Sequence, residues 1–292
     1  MKSAISFNNI YKLNELYKKD RNIYKKFMYI LILLILLSNG ILGNLHSVNE
    51  SYNLNLNVWD GIFRILSYPY FMLYVYIPAT LILISPSNKL YEKYLAIRFK
   101  SKFCLIINEI LFKIVITTFF TFIYMVAIIM LSSMYFKIES NWSDIILNIG
   151  GQTKYGQSMY PNNFVKMLSP EIALILNFMQ INLTIILIDM MRGFLIDLKG
   201  NFKLANILIS LLLLINFVLF NFPIGHKIQE ILNFFLISTF VLLWNHRFDS
   251  LSFSNVTIVQ STVVLLILTM LVLVLRLAFC KGMKIIDGDW IN

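Results

Sequence analysis

Residues Ser85–Tyr135 read SPSNKLYEKYLAIRFKSKFCLIINEILFKIVITTFFTFIYMVAIIMLSSMY. A basic, amphipathic connector runs straight into an uninterrupted apolar segment. In Ser85–Lys113, five cations (Lys89, Lys93, Arg98, Lys100 and Lys102) fall within fourteen residues, interleaved with Leu90, Tyr91, Tyr94, Leu95, Ile97 and Phe99. Ile114–Tyr135 then carries no charge at all. A run of about 20 apolar residues is what a helix needs to cross roughly 30 Å of hydrocarbon. A bare loop between spans has no use for apolar residues alternating with cations, whereas a helix lying on the cytoplasmic face and receiving a partner does.

Five further apolar runs repeat the second half of this pattern: Phe27–Leu45, Leu66–Ser85, Ile172–Met190, Leu204–Phe222 and Val256–Leu275. The chain is 58% hydrophobic and only 14% charged, with a mean hydropathy of +0.73. Soluble domains carry about a quarter charged residues. The expected fold is therefore an all-α membrane protein with six transmembrane helices. It forms a single transmembrane domain over residues 1–292, with an arm over 1–26, the spans within 27–275 and a tail over 276–292. The first run follows a polar arm without a small-residue cleavage site, so it reads as a retained span.

Orientation follows from the cations, which favour the cytoplasmic side of short loops. With the N-terminus inside, nineteen of the 25 Lys and Arg residues fall inside, and only Arg64, Lys137, Lys154, Lys166, Lys227 and Arg247 fall outside. Both termini are then cytoplasmic and the number of crossings is even. Ile228–Trp244 is apolar but only about 17 residues long, the lower limit for a span. Were it to cross, Arg276, Lys281 and Lys284 would be carried outside. It reads instead as a re-entrant or interfacial hairpin on the outer face, set off by Pro223 and Gly225. In the arm, Ile10, Leu13, Tyr17, Ile23, Tyr24 and Phe27 share one helical face opposite lysines, the pattern of an interfacial elbow helix. The turn-rich outer loop Phe136–Pro170 is long enough for a small cap.

The net charge of +10 sits at membrane edges, as topology demands, and does not point to nucleic acid. No GxxxxGK[ST] phosphate-binding loop is present, so the chain is not expected to hydrolyse nucleotide itself. There is no HExxH, and His46, His226 and His246 are far apart in sequence; no metal site is expected. Glu109 and Lys113 stand at i,i+4, and Asp189 and Arg192 at i,i+3, spacings that pair charges on one helix face. Asn177, Gln180 and Thr184 share one face of the fourth span, Asn206 and Ser210 one face of the fifth, and Ser38, Asn39, Gly40 and Gly43 form a small polar patch on the first. Such a face either bonds helix to helix or lines a translocation path. Richness in Ile, Asn and Lys suggests an AT-rich bacterial genome.

The order of these parts resembles the six-span membrane subunits of type-2 ABC exporters, especially Gram-positive exporters of peptides, toxins or bacteriocins. The resemblance rests on the basic elbow, on Trp59-Asp60-Gly61 before the second span, on the stretch after the fifth, and most specifically on Arg98, Ser101 and Lys102 before the third. It implies that the connector is a coupling helix seated on a separate ATPase. Tyr91, Tyr94, Leu95 and Phe99 would make its apolar contacts, and Arg98, Lys100, Ser101 and Lys102 its polar rim. Two ATPase subunits, which would hold the ATP and Mg, and a second membrane subunit, identical or different, would complete the assembly in the cell membrane. This chain would hold no cofactor and no catalytic residue. A polytopic membrane enzyme, or a channel or accessory protein outside the ABC group, is the alternative.

Overall fold

In a computed structural model of the chain, the structure describes residues 21–85, 102–149, 162–199, 201–222, 226–248, 255–280, 284–286 and 289–291. Five helices are long and apolar enough to cross a membrane: α1 (Arg21–Tyr52), α4 (Lys102–Tyr135), α7 (Pro170–Lys199), α8 (Phe202–Asn221) and α11 (Ile258–Cys280). A sixth crossing is available if α2 (Val58–Leu66) and α3 (Pro69–Ile84), which meet at a bend of 52°, count as one span. Between α4 and α7 lie two single-turn helices, α5 (Asp144–Ile149) and α6 (Asn162–Met167). After α8 come α9 (His226–Leu232), α10 (Ile237–Val241) and a 3₁₀ turn at Leu243–Asn245. Beyond α11, strands β1 (Lys284–Ile286) and β2 (Asp289–Ile291) pair antiparallel, Lys284 opposite Ile291, a local feature that the all-α expectation did not contain. Of the N-terminal arm only residues 21–26 are described, as the first turns of α1; the rest of the expected elbow lies outside the described residues.

The two prolines of the second span act differently from one another. Pro69 stands at the first position of α3, where its missing N–H removes no helical bond, and marks the bend after α2. Pro78 lies inside α3, where a proline ring crowds the carbonyl four residues earlier. The helix takes this up in a π-helical turn over Met72–Tyr76, closed by the Ile77 amide donating to the Met72 carbonyl. A helix that would otherwise kink at Pro78 is continuous to Ile84.

α7 is the central element. It packs against α3, α4, α8, α10 and α11, and half of its most apolar window is buried, against 11% for α11 and 17% for α1 and α8. The outer helices keep rows of apolar side chains exposed, among them Tyr29 and Leu36 on α1 and Val263 and Met270 on α11. Such faces suit a hydrocarbon surround. The polar patch of the first span bonds helix to helix: Ser38 Oγ lies 2.7 Å from Tyr124 Oη, and Tyr135 donates to Asn39 Oδ1 at 2.9 Å.

The end of the bundle opposite the connector is closed by a cap. Asn57 caps α2, its side chain accepting from the amides of Trp59 and Asp60, while Asp60 Oδ2 accepts from the Asn57 amide at 2.8 Å. Asn57 Nδ2 also donates to Asn141 O at 2.7 Å, and Trp59 Nε1 to Glu139 O at 2.8 Å, so the start of α2 is sewn to the loop that leaves α4. Behind it Phe63, Trp142, Phe164 and Phe248 form a continuous aromatic cluster. Gly61 lets α2 lie against α4. A Cβ there would stand 2.2 Å from Ser132 Oγ and 3.0 Å from Phe136 Cδ2. Gly61→Ala should therefore lower stability by about 1–3 kcal/mol. In thermal unfolding of the detergent-solubilised protein, part of that loss should be absent when Ser132→Ala is already present. A Gly61→Ala protein as stable as its parent would refute the close contact.

Candidate functional site

Two groups of polar side chains lie inside the bundle, one at each end. At the connector end, the sequence pairs Glu109–Lys113 and Asp189–Arg192 both form, and they join each other. Lys113 Nζ lies 2.6 Å from Glu109 Oε1 and 2.9 Å from Asp189 Oδ2, so α4 and α7 share one ammonium group. Arg276 of α11 completes the group, with Nε 2.6 Å from Asp197 Oδ2 and Nη2 3.3 Å from Glu109 Oε2. Arg192 pairs with Asp189 and donates to Ser85 Oγ and, at 3.2 Å, to the Leu81 carbonyl at the end of α3. Among the described residues, three carboxylates thus meet three cations across α4, α7 and α11, with α3 tied in through Arg192.

Burial makes the balance essential. The side chains of Lys113, Asp189, Arg192, Asp197 and Arg276 are all less than a tenth exposed. An ion withdrawn from water costs several kcal/mol unless its partner and hydrogen bonds compensate it. Gly193 makes room for this arrangement: a Cβ there would stand 2.7 Å from Arg276 Cζ and Nη1. The group can bind helices into one body. It offers no acid or base standing alone for proton transfer.

At the opposite end, the sequence-selected residues Asn177, Gln180 and Thr184 are all buried. Asn177 Nδ2 donates to the Val241 carbonyl at 3.2 Å, at the end of α10. Gln180 Nε2 donates to Ser261 Oγ of α11 at 2.9 Å, and Thr184 returns its hydroxyl to the Gln180 carbonyl. Asn216 of α8 accepts from the Ser238 amide at 3.2 Å, and Trp244 Nε1 donates to the Ser67 carbonyl at 3.2 Å. Residues 226–245 contain no helix long enough to span; they form the short helices α9 and α10, and α10 is buried throughout. Asn177 Oδ1, Gln180 Oε1 and Ser238 Oγ are buried without a hydrogen-bond partner among the described residues.

His246 holds this end together. Its Nδ1 lies 2.8 Å from the Leu243 carbonyl, which can only accept, so Nδ1 carries the proton. In the neutral ring Nε2 then accepts from Ser261 Oγ at 2.7 Å. The pair has the spacing of a serine and its general base. Both side chains are fully buried, however, and burial lowers the His246 pKa to about 4, far below the pH at which a general base is poised. The geometry joins α11 to the turn after α10. Sequence reading missed it because His246 and Ser261 are 15 residues apart on separate elements.

Among the described residues no three metal-ligating side chains come together. Tyr91, Tyr94, Leu95, Arg98, Phe99, Lys100 and Ser101 lie outside the described residues, and Lys102 is described only as the first residue of α4. The flanks of the connector are described: Ser85 before it and Glu109 and Lys113 after it all belong to the charge network. Comparison with protein-family models, with curated proteins and with solved structures finds no match.

Two measurements check this site. Asp189→Ala leaves Lys113 and Arg192 without their shared carboxylate and should cost about 3–5 kcal/mol in unfolding. Adding Lys113→Met should recover part of it; two independent, additive losses would refute a coupled network. For His246, a neutral buried ring means that an opened state takes up the proton first as pH falls. Closure of the 226–248 segment should be at full strength above pH 6.5 and weaken progressively towards pH about 4. Amide-exchange protection of that segment, taken relative to the intrinsic exchange rate at each pH, should be lower at pH 5 than at pH 7 in the parent and equal at the two in His246→Gln.

Proposed function

We propose that this chain is the membrane subunit of an ATP-driven exporter that moves a hydrophobic or amphipathic substrate, such as a peptide or toxin, out of a bacterial cell. A separate ATPase, in two copies, supplies the energy, and a second membrane subunit completes the path. The observation that carries this reading is the attachment of both ends of the connector to one buried network. Ser85 enters the network through Arg192, and Glu109 and Lys113 enter it from the first turns of α4. Force applied to residues 86–101 would therefore reach α7 and α11 together. A loop serving only to join two spans needs no such anchorage.

In this reading the connector is the coupling helix, and its end of the bundle faces the cytoplasm with both termini. The folded-back α9–α10 segment is the outer hairpin. Its unsatisfied amide and hydroxyl atoms beside Asn177 and Gln180 suit a region that rearranges or admits water when the path opens. The network would let the helices move as a unit, since separating any pair at depth strands a charge. Replacing Tyr94 and Leu95 with glutamate in the complex purified with its ATPase should leave ATP turnover running while transport into inverted vesicles is lost. Transport and turnover that both continue at parental rates would remove the coupling assignment, and with it this function.

A further inference from the structure

An open cleft of about 420 Å³ lies between α3 and α8 at the connector end of the bundle. Its walls are apolar, from Pro78, Leu81 and Ile82 on one side and Ile209, Leu213 and Leu214 on the other. The volume falls in the range of small-molecule sites. Among the described residues that line it, Arg192 is the sole charged one. Arg192 lines the cleft while pairing with Asp189 and donating to the Leu81 carbonyl and Ser85 Oγ, which uses three of its five N–H donors and leaves the others for a ligand.

Three further polar groups of the lining make no hydrogen bond that holds the described helices together. Tyr74 Oη is buried with no hydrogen-bond partner among the described residues. Asn206 and Ser210, the pair that shares one face of the fifth predicted span, both line the cleft. An asparagine and a serine on an otherwise apolar, partly exposed helix face are costly in hydrocarbon unless something bonds them. Ile82 and Leu214, beside the opening, are more than half exposed, so the cleft opens towards the apolar surround rather than into the core.

We infer that this cleft binds an anionic phospholipid of the surrounding bilayer, one acyl chain lying between α3 and α8 and the phosphate facing Arg192, Asn206 and Ser210. An Arg guanidinium recognises phosphate through charge-assisted hydrogen bonds, and neutral donors complete the shell. The site does not depend on the exporter reading: it would hold for any function of this chain, and its test involves no transport. Through Arg192 the lipid head would touch the same group that holds Ser85.

The test uses the full chain reconstituted in nanodiscs with phosphatidylglycerol carrying a diazirine in one acyl chain, beside the same probe with a phosphatidylcholine head. After irradiation, the phosphatidylglycerol probe should label peptides containing Tyr74–Ile82 and Asn206–Leu214 about tenfold more than the phosphatidylcholine probe, the ratio expected for one charge-assisted contact. Ser210→Phe, which fills the cleft without touching the charge network, should remove that labelling while helical content is unchanged. Arg192→Lys should keep part of the preference for the anionic head, and Arg192→Gln should lose it. Equal labelling by both head groups overturns the proposal, as does labelling that survives Ser210→Phe. Cross-links from these residues to a second copy in place of lipid overturn it as well.

Discussion

The buried salt-bridge network at the connector end is the constraint on which the rest of the bundle depends. Among the described residues it joins three carboxylates to three cations, and all of these side chains but Glu109 are less than a tenth exposed. Their attraction offsets the desolvation only while all six hold station. Helices α4, α7 and α11, with the end of α3, therefore share a fixed relationship at that end. The geometry is close: a side chain at Gly193 would force the Arg276 guanidinium to shift from its carboxylates, and Ser85 sits at the end of α3 within reach of Arg192. Membrane helices have little hydrophobic drive to associate, so a balanced polar cluster of this kind sets which helices are neighbours.

The other end of the bundle is held by different physics. There neutral donors and acceptors on α7, α8 and α11 seat the short helices of residues 226–245, and an aromatic cluster with a capped α2 closes that end. Helix α7 takes part in both ends. Gln180 and Asp189 lie nine residues apart on it, about 13 Å along the axis. A displacement of the charged end therefore acts on the seat of α10 through one helix, with no need for a chain of intermediate contacts.

Much of this was legible in the sequence, for identifiable reasons. Apolar length set the spans, and each of the six expected runs lies in α1, in the α2–α3 pair or in α4, α7, α8 and α11. Local pairs were legible because helix geometry alone brings i,i+3 and i,i+4 residues together, as for Glu109–Lys113 and Asp189–Arg192. The polar face of Asn177, Gln180 and Thr184 was legible by the same rule, although its partners on α10 and α11 were not. Pro78 pointed to a disturbed helix; that a π-helical turn would absorb it depends on the packing of Tyr76 against Phe120 and Tyr124.

From sequence alone the chain is a membrane protein of long apolar helices, with cations gathered at one set of ends and locally paired charges near them. Those features follow from composition and from the 3.6-residue repeat, which need no knowledge of neighbours. Tertiary structure alone decided that the local pairs merge into one cluster, that Arg276 joins it over Gly193, and that His246 and Ser261 meet. It also decided that Gly61 and Gly193 are contact points while Gly40 and Gly43 face open space. Each of these depends on which helix faces lie against each other, and in a chain whose helices are apolar almost all round, no sequence period specifies that.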